Sequence, residues 1–99
     1  MAATDAPVCT LELRGELTIR TATDTHHLLQ TALQKRTDIA IDMAHTDDID
    51  LTLIQLLVSA AKTARQSGSA ITLPDPLPEQ VSALLTRGGF SRDDIEAVR

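Results

Sequence analysis

Residues 41–60 read IDMAHTDDIDLTLIQLLVSA, and the fold depends on where this stretch divides. An apolar run fades after Met43. Four aspartates, Asp42, Asp47, Asp48 and Asp50, lie along the passage, and a second apolar run starts at Leu51. The segment 38–44, DIAIDMA, is compact and β-branched at its centre, the character of a buried strand. From Leu51 to about Gln66 the period changes. At about 100° per residue, Leu53, Ile54, Leu57, Ala60, Ala61 and Ala64 gather on one side. Thr52, Gln55, Ser59, Lys62, Thr63 and Gln66 gather on the other, with Leu56 at the edge. A strand therefore leads through an acidic loop into a long amphipathic helix, which Gly68 closes because glycine accepts the left-handed conformation of a helix end.

Outward from this centre the same two periods alternate. Residues 8–13, VCTLEL, and residues 17–19 carry a period of two on either side of Gly15, which predicts strand, glycine turn and strand as an initial hairpin. Between residues 21 and 35, Ala22, Thr25, Leu29, Ala32 and Leu33 fall on one helical face. Beyond Gly68, AITL at 70–73 predicts a short buried strand. The run DPLPEQVSALLTRGGF then predicts a turn and a helix with an apolar face of Val81, Leu84 and Leu85, stopped by glycine. A last helical turn is expected after Ser91 as N-cap, packed by Phe90. Strands alternating with helices imply crossover connections and an α/β fold: a small sandwich with a mixed, mostly parallel sheet of about four or five strands. Functional surfaces of such folds lie where strands end and loops enter helices, the place that residues 46–52 occupy.

Composition narrows the function. At 99 residues the chain is expected to form one domain, 1–99, with a modest core and little room for a deep cleft. Its net charge of −5, from 14 acidic and 9 basic residues, gives no electrostatic footprint for nucleic acid. A single aromatic residue, Phe90, argues against stacking on bases or cofactor rings. One cysteine cannot form an internal disulfide, and no stretch has the length and apolarity for membrane insertion, so a cytoplasmic location is expected.

The aspartates are weighed against three chemistries. General acid–base work needs carboxylates converging on a pocket, and a hard cation needs several oxygen ligands. Asp50 instead suits the N-cap of the following helix, offering its carboxylate to free backbone N–H groups, and Asp47 and Asp48 read as turn residues. A phosphorylatable receiver domain also needs an acidic pair after its first strand and a lysine after its last, which Gly15–Glu16 and Leu73–Pro74 do not provide. His26, His27 and His45 have no metal-ligand spacing, Cys9 reads as a small strand residue, and RGGF at 87–90 reads as a helix stop. No catalytic, metal or cofactor site is expected. The face Thr52, Gln55 and Ser59 has the spacing of a solvated helix surface and equally of a protein-docking stripe.

The order GELTI, helix, DIAIDMAHTDDIDLTLIQLLVSAAKTARQSG, ITL, PLPEQVSALLTRGGF resembles a STAS domain, the sulfate transporter and anti-sigma factor antagonist family, over nearly the whole chain. The family's informative segment is a strand ending in aspartate, a short loop, and Asp-Ser/Thr-Ser/Thr/Ala-Gly-Leu at a helix start. Asp50 matches, Thr52 falls where phosphorylatable members carry the acceptor hydroxyl, and Leu51 and Leu53 stand in place of a small polar residue and the glycine. The resemblance implies a bacterial anti-sigma factor antagonist-like partner switch, without catalysis of its own. Its partner is a serine/threonine kinase of the histidine-kinase-like ATPase type, released on phosphorylation. The implied partner-binding residues are Asp48, Asp50, Thr52, Gln55, Leu56 and Ser59. The alternative it implies is a constitutive accessory subunit or scaffold, for example with the ATPase of a lipid-transporting ABC complex or with chemotaxis-type proteins.

Overall fold

The structure, a computed structural model, describes residues 8–97. Strands β1 (Val8–Glu12) and β2 (Gly15–Leu17) precede helix α1 (Ala22–Gln34). Strands β3 (Asp38–Asp42) and β4 (Thr46–Ile49) lead into helix α2 (Leu51–Ser67), and β5 (Ile71–Thr72) is followed by α3 (Glu79–Gly88) and the single-turn α4 (Arg92–Ile95). The α/β alternation and parallel pairing agree with the sequence expectation. Three strands form a parallel sheet in the order β1-β3-β5, and β2 pairs with β4, also parallel.

The initial hairpin does not form. A two-residue hairpin turn of type I′ needs positive φ at both central residues. Here Gly15, at φ 68°, is the only residue of the bend in that region. The strand bends there without reversing, and both of its halves pair in parallel with the segment that follows α1. The segment 8–17 therefore runs alongside 38–49 for its whole length, first as β1 on β3 and then as β2 on β4. The bend is bridged by N–H groups of Leu13 and Gly15, which donate to the carbonyls of Asp42 and His45, both at 2.9 Å. Antiparallel pairing enters elsewhere, as a bridge between Ile71 and Ala97 at the far edge. Three further expectations shift. Ile19 leaves the strand for a short 3-10 turn capped by Thr18. Asp47 and Asp48 lie in β4 rather than in a turn, because β2 supplies them with a partner strand. Finally, the third strand ends at Asp42, whose Oδ1 accepts the Ala44 N–H at 2.9 Å and starts the turn.

The parallel register places Cys9, Ile39 and Ile71 in one row and Leu11 beside Ile41 in the next, all on one face. Ile39, Ile41 and Ile71 are buried there with Leu29 of α1, Leu53, Ile54 and Leu57 of α2, and Val81 and Leu85 of α3. All six residues projected to the inner face of α2 are buried. The opposite sheet face carries Thr10, Glu12 and Thr72, exposed, and half-buried Ala40. The helices thus cover one face, and the sheet alternates as a half-buried sheet should. Helix α2 is the central one, packed against α1, α3 and α4.

The C-terminal segment is tied down by polar side chains. Arg65 donates to the carbonyls of Asp93 and Glu96, both at 2.6 Å. Arg92 bonds the Glu96 carboxylate at 2.8 Å and the Leu73 carbonyl at 3.0 Å, while Glu96 accepts the Leu73 N–H at 2.9 Å. These bonds hold α4 across the end of β5 and against α2, and Ile95, its last residue, is fully buried.

Candidate docking surface at the start of the central helix

Asp50 organises the site. It is the N-cap of α2 in an extended conformation, and its Oδ1 accepts the Thr52 N–H at 2.9 Å. Its second oxygen, Oδ2, accepts the Ile19 N–H at 3.0 Å, while its own N–H donates to Leu17 at 3.3 Å. One carboxylate therefore caps the helix and fixes the turn after β2 beside it. The Ile19 N–H holds the Asp50 carboxyl below its ordinary value of 3.8; burial acts in the opposite direction, and the Thr52 N–H, the Thr52 hydroxyl and the Leu53 N–H add to the lowering. The Thr52 and Leu53 N–H groups are donors that a helix start leaves without intrahelical partners.

A depressed carboxyl pKa stabilises the fold at pH values above the unfolded-state pKa, and this contribution is lost as pH falls through the folded-state value. Asp50→Ala is therefore expected to cost about 1 kcal/mol at neutral pH, the usual size of a lost N-cap. The difference between wild type and mutant should shrink once pH drops below 3.8. Urea titrations of both proteins at neutral pH and at pH near 3 check this; a gap that stays constant would show that the charge plays no part.

Along α2, Gln55 and Ser59 are exposed and Thr52 and Leu56 are half-buried, so the four share one accessible side, as the helical projection expects. Asp48 is exposed on β4, just before the helix. Thr46, the nearest competing hydroxyl, donates to the Met43 carbonyl at 3.3 Å. Leu53, standing where the family pattern has glycine, is 1% exposed and belongs to the core, whereas Leu51 points outward at 39% exposure.

The structure adds residues that sequence reading had not placed at the site. Ile19 is 69% exposed and is tied through its N–H to Asp50, so a large apolar side chain stands at the mouth of the helix. Leu51 lies beside Phe90: a Cβ on Gly88 would come within 2.9 Å of the Phe90 ring and 3.0 Å of a Leu51 methyl. The first glycine of RGGF thus makes room for that pair, and the second, Gly89 at φ 75°, is the helix stop. Only Ile19 could have been suspected earlier, as an apolar residue that the strand period alone had to explain. The meeting of Leu51 and Phe90 around Gly88 joins residues far apart in sequence and has no local signature.

Among the described residues no group of three or more His, Cys, Asp or Glu is arranged to hold a metal ion. No helix among them is long and apolar enough to cross a membrane. The surface offers a capped helix start, the hydroxyls of Thr52 and Ser59, and exposed apolar side chains. Residues 1–97 match the protein family described as "Mlab, STAS domain". The chain belongs to the STAS family. No curated protein matches it at a significant level. STAS domains are typically regulatory, anti-sigma factor antagonist-like binding modules rather than enzymes. In this STAS domain the family's helix-start segment coincides with the surface that Asp50 builds.

Proposed function

We propose that residues 1–99 act as one non-enzymatic regulatory module that docks a serine/threonine kinase or another signalling protein through Asp48, Asp50, Thr52, Gln55, Leu56 and Ser59. The observation that carries this reading is the exposure of large apolar side chains, Ile19 and Leu51, immediately beside the polar stripe of α2. Interfaces combine an apolar centre with a polar rim, and an exposed apolar cluster at a helix mouth supplies that combination. Phosphorylation of Thr52 is the control step of this reading. Its place in the first turn of α2 lets helix N–H groups accept added negative charge. The module works in the cytoplasm, needs no cofactor or metal, binds no nucleic acid and does not insert into a membrane.

A second reading is favoured by a specific observation. The Asp50 carboxylate sits next to Thr52 and already occupies the N–H groups of Ile19 and Thr52, so a phosphate there meets a like charge and finds donors taken. Together with Leu51 and Leu53 in place of the small polar residue and glycine, this fits a constitutive dock, such as an accessory subunit on the ATPase of a lipid-transporting ABC complex.

Both readings use the same face and share one test. Gln55→Glu and Ser59→Arg should each abolish association with the kinase or transporter ATPase encoded beside this chain, measured by calorimetry. Their unfolding free energies should shift by less than about 0.5 kcal/mol, as exposed substitutions do. Undiminished binding by both variants would place the interface elsewhere.

A further inference from the structure

A groove of about 320 Å³ runs along the seam between α1 and α2, at the small end of the roughly 300–1,000 Å³ range of ligand sites. Leu29, Leu33, Leu56 and Ala60 form its floor, and neutral hydrogen-bonding side chains, among them Gln30, Gln34, Ser59 and Thr63, stand along it. It extends from His26 to Arg36, ten residues of α1 and its cap, about 15 Å at the helical rise. An extended medium-length alkyl chain has the same length.

Its charge is unlike the rest of the molecule. The chain has 14 acidic residues and a net charge of −5, yet none of the groove's lining residues is acidic. The charged residue that lines it is Arg36, and the Arg36 side chain has no ion-pair partner among the described residues. Arg36 is also the one described non-glycine residue with positive φ, at 54°, in the position after a helix that glycine or asparagine usually takes. A cation at a helix C-terminus offsets the helix dipole. That benefit does not require a lining position in an acid-free groove with an apolar floor.

We propose that this groove binds a single-chain amphiphilic anion, its alkyl chain on the leucine floor and its headgroup on Arg36. The guanidinium would supply charge-assisted, paired hydrogen bonds to a carboxylate or a similar oxyanion. The site shares Leu56 and Ser59 with the proposed docking face but rests on Arg36, Leu29, Leu33 and Ala60, which lie outside that face, so it stands or falls independently of that reading.

The probes are decanoate, decanol and decyltrimethylammonium, each titrated below its micellar concentration into the isotope-labelled protein. Saturable decanoate binding is expected, with amide shifts centred on Leu29, Leu33, Leu56 and Ala60. Decanol and the ammonium probe should bind at least about tenfold more weakly, the usual worth of a charge-assisted bond. Arg36→Gly removes the guanidinium while relieving the left-handed backbone, so this variant should fold at least as well as wild type and lose about tenfold in decanoate affinity. Gln34→Glu brings a carboxylate to the groove and should weaken decanoate but not decanol. Equal affinity for decanoate and decanol, shifts centred elsewhere, or decanoate binding unchanged in both variants would overturn the proposal. An acidic amphipathic peptide that occupies the groove when decanoate does not would also overturn it, in favour of a protein helix as occupant.

Discussion

Replacing Leu57 by alanine will lower the unfolding free energy by about 2–5 kcal/mol. Leu57 is 1% exposed and sits at the middle of α2, the helix that contacts α1, α3 and α4. Its removal takes apolar area out of the core and leaves a cavity that three helices and a sheet cannot all close around. Small domains have about 5–15 kcal/mol in total, so a large part of this protein's stability rests on that side chain. Urea unfolding followed by circular dichroism should show a lower midpoint with an unchanged slope. A neutral result would mean that α2 presents a different face to the sheet than the one described.

Thr52→Glu is expected to weaken partner binding by about a hundredfold or more, while Thr52→Ala keeps the complex together. A carboxylate in the first turn of α2 lies beside Asp50 and in the centre of the proposed contact. Burying that added charge in the contact without a countercharge costs several kcal/mol. The folded state itself should tolerate the change, since Thr52 is only half-buried and negative charge near a helix N-terminus is accepted. Calorimetry of the two variants with the partner kinase, and mass spectrometry of the wild-type chain after incubation with that kinase and ATP, separate the readings. Phosphate at Thr52 with release supports the switch. Release by Thr52→Glu, with tight kinase binding and no phosphate transfer, supports the constitutive dock. Unimpaired binding of Thr52→Glu removes Thr52 from the interface.

The two expectations rest on residues that were legible to very different degrees. Leu57 could be assigned from the sequence because an amphipathic helix repeats its contacts every three or four residues, and all six inner-face positions of α2 follow that repeat. The role of Asp50 was half legible. Its position before an apolar helical run signals a cap, and the Thr52 N–H bond obeys that signal. Its second bond, to Ile19, spans 31 residues and exists only because β2 and β4 run side by side.

The sequence by itself determined the helices, the α/β alternation, a strand within residues 38–44 and the family, since each depends on local periodicity, caps and a short motif. Only the tertiary structure decided that Gly15 bends a strand instead of closing a hairpin. That choice depends on which partner strand is available, and the partner arrives after α1, beyond the reach of a local pattern. The same limit explains Asp47 and Asp48, whose turn-like character yields to pairing with β2. It also explains the site's apolar neighbours: Ile19, Leu51 and Phe90 come from three separate parts of the chain, and only packing brings them around one helix start.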